Sequence, residues 1–288
     1  MQYPSLSTFI AGEKNALRKG PLALVFAEDD VEIASTIRHL IGSGFKHITL
    51  FGSGAALELA MPDDKVVSVR FDVHQIGAVQ DAINAVIAAA PKQWIHYCYN
   101  AEYFYYPFRE SRDITELTTF HAEERRDSIL TYLVDAYASD LKLHSNGVST
   151  TDAYFDSGGY FGLRRFVGRE STPLDRQLNF FGGLRWRFEE HIPFRSRQLS
   201  RVSLFRAKPG LKIRSDFLLN DEEMNTISCP WHHNITAAMI SFRAAKALRH
   251  NPGSRVEIDD FMWQGSTKLD WTSQQLLDLG FIEPGQWF

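Results

Sequence analysis

The first hundred residues alternate short, continuous apolar runs with stretches in which apolar positions recur every three or four residues. PLALVFA, at 21–27, is a run of the kind that lies buried on both faces in a parallel sheet. Behind it, Val31, Ile33, Ile37, Leu40 and Ile41 fall at roughly helical spacing before a glycine stop, which predicts an amphipathic helix. HITLFGSG (47–54) and VVSVRFD (66–72) predict two more strands. IGAVQDAINAVIAAAP then carries Ala, Val and Ile on one helical stripe up to Pro91, and the run from Trp94 predicts a further strand. The expected order is β-α-β-β-α-β, a nucleotide-binding type of sheet over 21–108, mainly parallel with helices on both faces. Glu28 and Glu102 are expected at its same carboxyl edge.

Beyond residue 108 the pattern is less regular. SILTYLVDAYA (128–138) fits either a strand or the end of a helix beginning near Glu116, and periodicity does not separate the two. Gly158, Gly159, Gly182 and Gly183 punctuate two aromatic segments, which predicts loops where backbone approaches something closely. TAAMISFRAAKALRHNPGS reads as one alanine-rich helix closed by Asn251, Pro252 and Gly253. The aromatic run Tyr103, Phe104, Tyr105, Tyr106 and Phe108 cannot all point inward on an alternating strand, so some of these rings are expected to face a cleft or a partner.

Composition narrows the classes. A chain of 288 residues with 44% hydrophobic content can bury a large core, and one elaborated α/β domain is expected over 1–288. Its formal net charge of -4 gives no global reason to bind nucleic acid or an anionic membrane, although local basic clusters remain open. No apolar run approaches the roughly 20 residues of a spanning helix. Two cysteines, Cys98 and Cys229, suit a reducing compartment, so a soluble, cytoplasmic protein is expected. FGSGAA lacks the third glycine of a dinucleotide fingerprint. CPWHH has no partner pair at zinc-ligand spacing.

Three segments, ALVFAEDDVEIASTIRHLIGSGFKHITLFGSG, QDAINAVI and WIHYCYNAEYFYYPF, together resemble the front half of glycosyltransferases of the GT-A fold, of the family 2 and family 92 type. In those enzymes a strand ends in Asp-x-Asp-Glu-Phe; here the element reads Tyr99, Asn100, Ala101, Glu102, Tyr103, keeping the glutamate and the aromatic and replacing both aspartates. The later GGLRWRFEE, SRVSLFRAKPGL and WHHN extend the likeness over most of the chain. The resemblance implies a GT-A-like mixed sheet flanked by helices, with a nucleotide-binding half at 21–108 and an acceptor-binding half at 109–288. It implies transfer of a sugar from a nucleotide-sugar donor to a carbohydrate or lipid-linked acceptor, in surface polysaccharide or glycoconjugate synthesis. A catalytically inactive scaffold that binds a glycan or protein partner is the alternative.

The resemblance also assigns residues. Glu28, Asp30 and Asp72, with Glu102, are placed toward the donor nucleotide; Asp29 or Asp30 equally suits a helix N-cap, and Asp72 a turn. A Mn²⁺ or Mg²⁺ on the donor diphosphate would be held by Glu102 and His233, or replaced by Arg185, Arg187 or Lys208. For Glu102 the plain structural role, capping a strand end or pairing with an arginine, stays open. Arg185, Trp186 and Arg187 are candidates to bracket an acceptor sugar, with Glu189 or Glu190 as general base. An arginine and glutamate network on a surface hairpin is the alternative for that segment.

Overall fold

The computed structural model describes residues 1–60, 62–166, 172–228 and 233–287. The chain is mixed α/β, with a large mixed sheet flanked by helices. It runs β1 (Gln2–Tyr3), α1 (Leu6–Gly12), β2 (Leu22–Phe26), α2 (Ile33–Gly42), β3 (His47–Gly52), α3 (Ala55–Glu58) and β4 (Val66–Arg70). There follow α4 (Ala78–Ala89), β5 (Trp94–Tyr99), β6 (Glu102–Tyr105), α5 (Ile114–Glu123), β7 (Ser128–Ala138), β8 (Ala153–Asp156), β9 (Phe161–Phe166) and β10 (Pro173–Phe181). The remainder carries α6 (Gly183–Arg187), β11 (Ser200–Arg206), β12 (Ala237–Ser241), α7 (Arg243–His250), α8 (Pro252–Glu257), β13 (Ser266–Lys268) and α9 (Ser273–Asp278).

Two compact units divide the chain. The first holds Met1–Phe104, Phe108–Leu130 and Arg201–Asn225; the second holds Tyr105–Pro107, Thr131–Ser200 and Thr226–Phe288. In the first unit the strand order is β1-β4-β3-β2-β5-β11. All neighbours pair in parallel except β11, which runs antiparallel to β5. β2, β3 and β5 are buried at every position, so their sequences show no polar alternation. On one face, Leu22, Leu24, Phe26, Ile95 and Tyr97 pack with Phe9 of α1 and with Val79, Ile83 and Val86 of α4. The alternate residue of β5, His96, lies instead against the rings of Phe45 and Phe104, at 5.4 and 4.6 Å. Phe45 follows α2, whose Ile33, Ile37 and Leu40 are buried.

The ambiguity at 114–138 resolves into both elements. Asp113 accepts from the amides of Thr115 and Glu116 while Glu116 accepts from the amide of Asp113, a capping box that starts α5; β7 then begins at Ser128. The alanine-rich helix expected from Thr236 is half strand. Ala237–Ser241 forms β12, buried throughout and parallel to β7, the helix α7 is confined to Arg243–His250, and Asn251 caps the start of α8. Burial on both faces of a strand overrides the helix propensity of alanine there.

The second unit is built on β7 from Thr131, with β12 parallel to it and β8 antiparallel, and β13 pairs with β8. β9 and β10 form a separate hairpin. Tyr137, Leu184, Ala245, Leu248, Ile258 and Phe261 make its local core. The aromatic run is packed inward rather than toward a cleft: Tyr103, Phe104, Tyr105 and Tyr106 are buried and Phe108 is half-buried. Their polar atoms are used locally, the Tyr103 hydroxyl at 2.8 Å from Ser35 Oγ and the Tyr105 hydroxyl donating to the Trp271 carbonyl at 2.9 Å.

Candidate functional site

In the first unit the chain leaves β2 toward β3 and β4 on one side and returns through α4 to β5 on the other. The strand order therefore reverses between β2 and β5. Such a reversal is the usual ligand position of open α/β sheets. Phe26 and Tyr99 are register partners at this edge, so the loop after β2 and the turn after β5 lie side by side.

Asn100 joins them. Its Oδ1 accepts from the amide of Glu28 at 2.9 Å, and its Nδ2 donates to the Val31 carbonyl at 2.8 Å and to Asp29 Oδ1. Asp29 also accepts from the Val31 amide at 3.0 Å, so it braces the loop rather than capping a helix. His74, beyond β4, reaches the carbonyl of Glu28 with Nε2 at 3.0 Å, and Asp72 accepts from the His74 amide at 3.0 Å. Glu28, Asp72 and His74 thus share the carboxyl edge with Asn100, and Asp30 is exposed in the same loop.

Two non-glycine residues at this edge hold left-handed backbone, Glu32 at φ 55° and Ala101 at φ 61°. Such conformations cost on the order of 1 kcal/mol each for residues with a Cβ and persist where surrounding contacts impose them. For Ala101 the contact is explicit: its amide donates to Thr36 Oγ1 at 2.9 Å.

Glu102 lies behind the turn, 1% exposed. Its Oε2 accepts from the Tyr99 amide at 2.8 Å and pairs with Arg201 Nη2 of β11. The guanidinium of Arg201 lies over the rings of Tyr97 and Tyr99, at 5.3 and 5.9 Å. Burial works against its charge, but Glu102, Tyr97 and Tyr99 outweigh that and hold the guanidinium above its ordinary value. Burial, then Glu102, pushes the neighbouring Cys98 thiol up, which keeps it protonated and unreactive.

This donor set does not suit a protein-held divalent metal. A cation on Glu102 would have to displace a buried guanidinium, and Asn100 and Ala101 bring no carboxylate to the turn. Among the described residues no group of three His, Cys, Asp or Glu side chains could hold a metal ion. His233, in the second unit, is exposed and lies 3.7 Å from Glu283. Cys229, Trp231 and His232 lie outside the described residues.

The remaining basic candidates are also committed. Lys208 pairs with Asp221 in the first unit. In the second, Arg185 donates through Nε to Asp135 at 3.0 Å and through Nη1 to the Ser196 carbonyl at 3.2 Å. Burial raises the pKa of the Asp135 carboxyl, more than Arg185 lowers it. Arg187 grips buried Asp156 with Nε at 2.8 Å and Nη2 at 3.2 Å, and donates to the Phe261 carbonyl at 2.7 Å. Asp156 also accepts from the hydroxyl of Tyr137 and the indole of Trp263. Glu189 binds Arg197 at 2.6 Å and Glu190 is exposed, 3.7 Å from His191. Trp186 is half-exposed beside them.

The double glycine serves packing within the unit. At Gly182 (φ +149°) a Cβ would lie 2.4 Å from Tyr160 Cδ1, and at Gly183 (φ +60°) 3.3 Å from an oxygen of Asp135. Gly182→Ala is expected to cost about 1–3 kcal/mol through this overpacking, with any nucleotide affinity unchanged. Urea titration of the variant checks the cost.

Sequence reasoning missed Asn100, His74, Arg201, Asp135 and Asp156. Asn100 stood inside the quoted strand-end motif, whereas Arg201 contacts a residue 99 positions away and left no local signal. The chain matches no protein-family model and no curated protein sequence.

Proposed function

We propose that the protein is a glycosyltransferase of GT-A-like architecture that binds a nucleotide-sugar donor at the carboxyl edge of β2 and β5 and transfers the sugar to a carbohydrate or lipid-linked acceptor. The supporting observation is the reversal of strand order at β2 and β5, with the Glu28–Asp29 loop and the Asn100 turn locked together across it. Carboxylates suit the hydroxyls of a ribose and the N–H groups of a base. Asp30 and Asp72 supply them in this reading: Asn100 fixes the loop that carries Asp30, and His74 ties the Asp72 turn to it. Transfer needs the acceptor hydroxyl deprotonated as it attacks the anomeric carbon. The candidate bases in the second unit, Glu189 and Glu190, are both exposed, Glu189 paired with Arg197 and Glu190 3.7 Å from His191. No step is routed through a metal ion.

Uridine, guanosine and cytidine diphosphates and their sugar conjugates form the test panel. A binder at 100 times its dissociation constant should add about 2.7 kcal/mol of stability in thermal unfolding. Chelator should leave that gain intact, and Asp30→Ala and Asp72→Ala should reduce it. No gain from any nucleotide, with or without Mn²⁺, would sink the reading.

The engagement of Glu102 by Arg201 favours a second reading, a scaffold that keeps the sheet without the chemistry. Nucleotide binding without any transfer or hydrolysis of the sugar conjugate would select it.

A further inference from the structure

The loop after β2 is fastened at two points, and both lead to one side chain. Asn100 holds its first half, through the Glu28 amide at 2.9 Å and the Val31 carbonyl at 2.8 Å. Thr36 of α2, wholly buried, holds its end. The Thr36 hydroxyl donates to the Glu32 carbonyl at 2.7 Å and accepts from the Ala101 amide at 2.9 Å. A hydroxyl has one proton to give, so this one is occupied on both sides, and its burial keeps solvent from taking over either bond. Glu32 and Ala101, which it joins, are the two left-handed non-glycine residues of this edge.

The backbone at Ala101 decides where its neighbours point. In a regular strand Asn100 and Glu102 would share a face. Left-handed backbone between them breaks that alternation: Asn100 reaches the β2 loop, while Glu102 turns back to the Tyr99 amide and Arg201. An alanine without such a contact favours extended or right-handed backbone. Thr36 therefore acts on the loop twice, directly at Glu32 and through Ala101 and Asn100 at residues 28–31.

We propose that Thr36 is the positioning residue of the nucleotide site, its hydroxyl holding Glu32 and Ala101 so that the loop carrying Asp30 is set before the ligand arrives. The inference rests on the transferase reading and deepens it. Thr36 touches no substrate. It governs the fraction of molecules whose loop is in binding form, and apparent affinity falls in proportion to that fraction.

Thr36→Val keeps the shape of the side chain and removes the hydroxyl, whereas Thr36→Ser keeps the hydroxyl. The whole protein is titrated calorimetrically with uridine, guanosine and cytidine diphosphates. For the diphosphate that binds the native protein best, Thr36→Val is expected to raise the dissociation constant about tenfold, and Thr36→Ser to stay close to native. Gly182→Ala, destabilised in the second unit, should bind as the native protein does, which separates loop geometry from stability. In the ligand-free native protein the Ala101 amide should exchange slowly, a measurement that needs no variant to fold. Fast exchange at Ala101, equal affinity in Thr36→Val, or a loss that Thr36→Ser shares overturns the assignment and leaves the transferase reading standing. A native protein that binds none of the three diphosphates overturns both.

Discussion

At pH 5 the protein is expected to be several kilocalories per mole less stable than at pH 7.5, through His39, His96 and His121. All three are held neutral in the fold. Burial lowers the pKa of His39 to about 3, with Arg109 adding to it. The geometry agrees: Nε2 lies 2.8 Å from the Phe104 carbonyl and so carries the proton, leaving Nδ1 to accept from Arg109 at 3.3 Å. A second proton on Nδ1 would face a guanidinium. Burial lowers His96 and His121 to about 3 as well, assisted by Arg201 and Arg126 respectively.

Folded pKa values near 3 lie below the unfolded value of 6.5, so the unfolded chain gains protons through this window and the native chain does not. The stability is fully present above about 6.5 and is lost as the pH falls toward 3. At pH 5 the loss is about 2 kcal/mol per histidine, a large part of the roughly 5–15 kcal/mol typical of whole domains. Urea titrations at the two pH values measure it. His96→Phe, placed between the rings of Phe45 and Phe104, should remove about a third of the dependence; a flat profile would show that these histidines are not held neutral.

The second large effect concerns Glu102 and Arg201. Removing one member leaves a buried, uncompensated charge, so Arg201→Met or Glu102→Gln should cost about 3–5 kcal/mol. Replacing both, as Glu102→Gln with Arg201→Met, should recover much of that, because two well-packed neutral groups carry no desolvation debt. Urea unfolding of the four proteins closes the double-mutant cycle. Additive losses would contradict the pairing and would reopen Glu102 as a residue with a partner elsewhere.

The parallel half of the fold was legible because burial on both faces leaves an unmistakable mark. PLALVFA, HITLFGSG and VVSVRFD became β2, β3 and β4 within a residue or two of the expected ends. The same rule hid β12, whose alanines read as helix until β7 was found beside it. Glu28 and Glu102 do follow the carboxyl ends of β2 and β5, yet nothing local distinguishes a carboxylate awaiting a ligand from one held by an arginine a hundred residues away. Arg185 and Arg187 were concealed in the same manner. Their partners, Asp135 and Asp156, lie in segments with no motif of their own.

The central claim is that a nucleotide binds on the Asn100-bridged loops at the carboxyl ends of β2 and β5. Amide hydrogen exchange of the whole protein, with and without the nucleotide that stabilises it most, locates the ligand directly. Slower exchange is predicted at 27–31, 72–74 and 99–101, with the β9–β10 hairpin unaffected. Protection confined to the second unit, or no change at the β2 and β5 loops, would contradict the account.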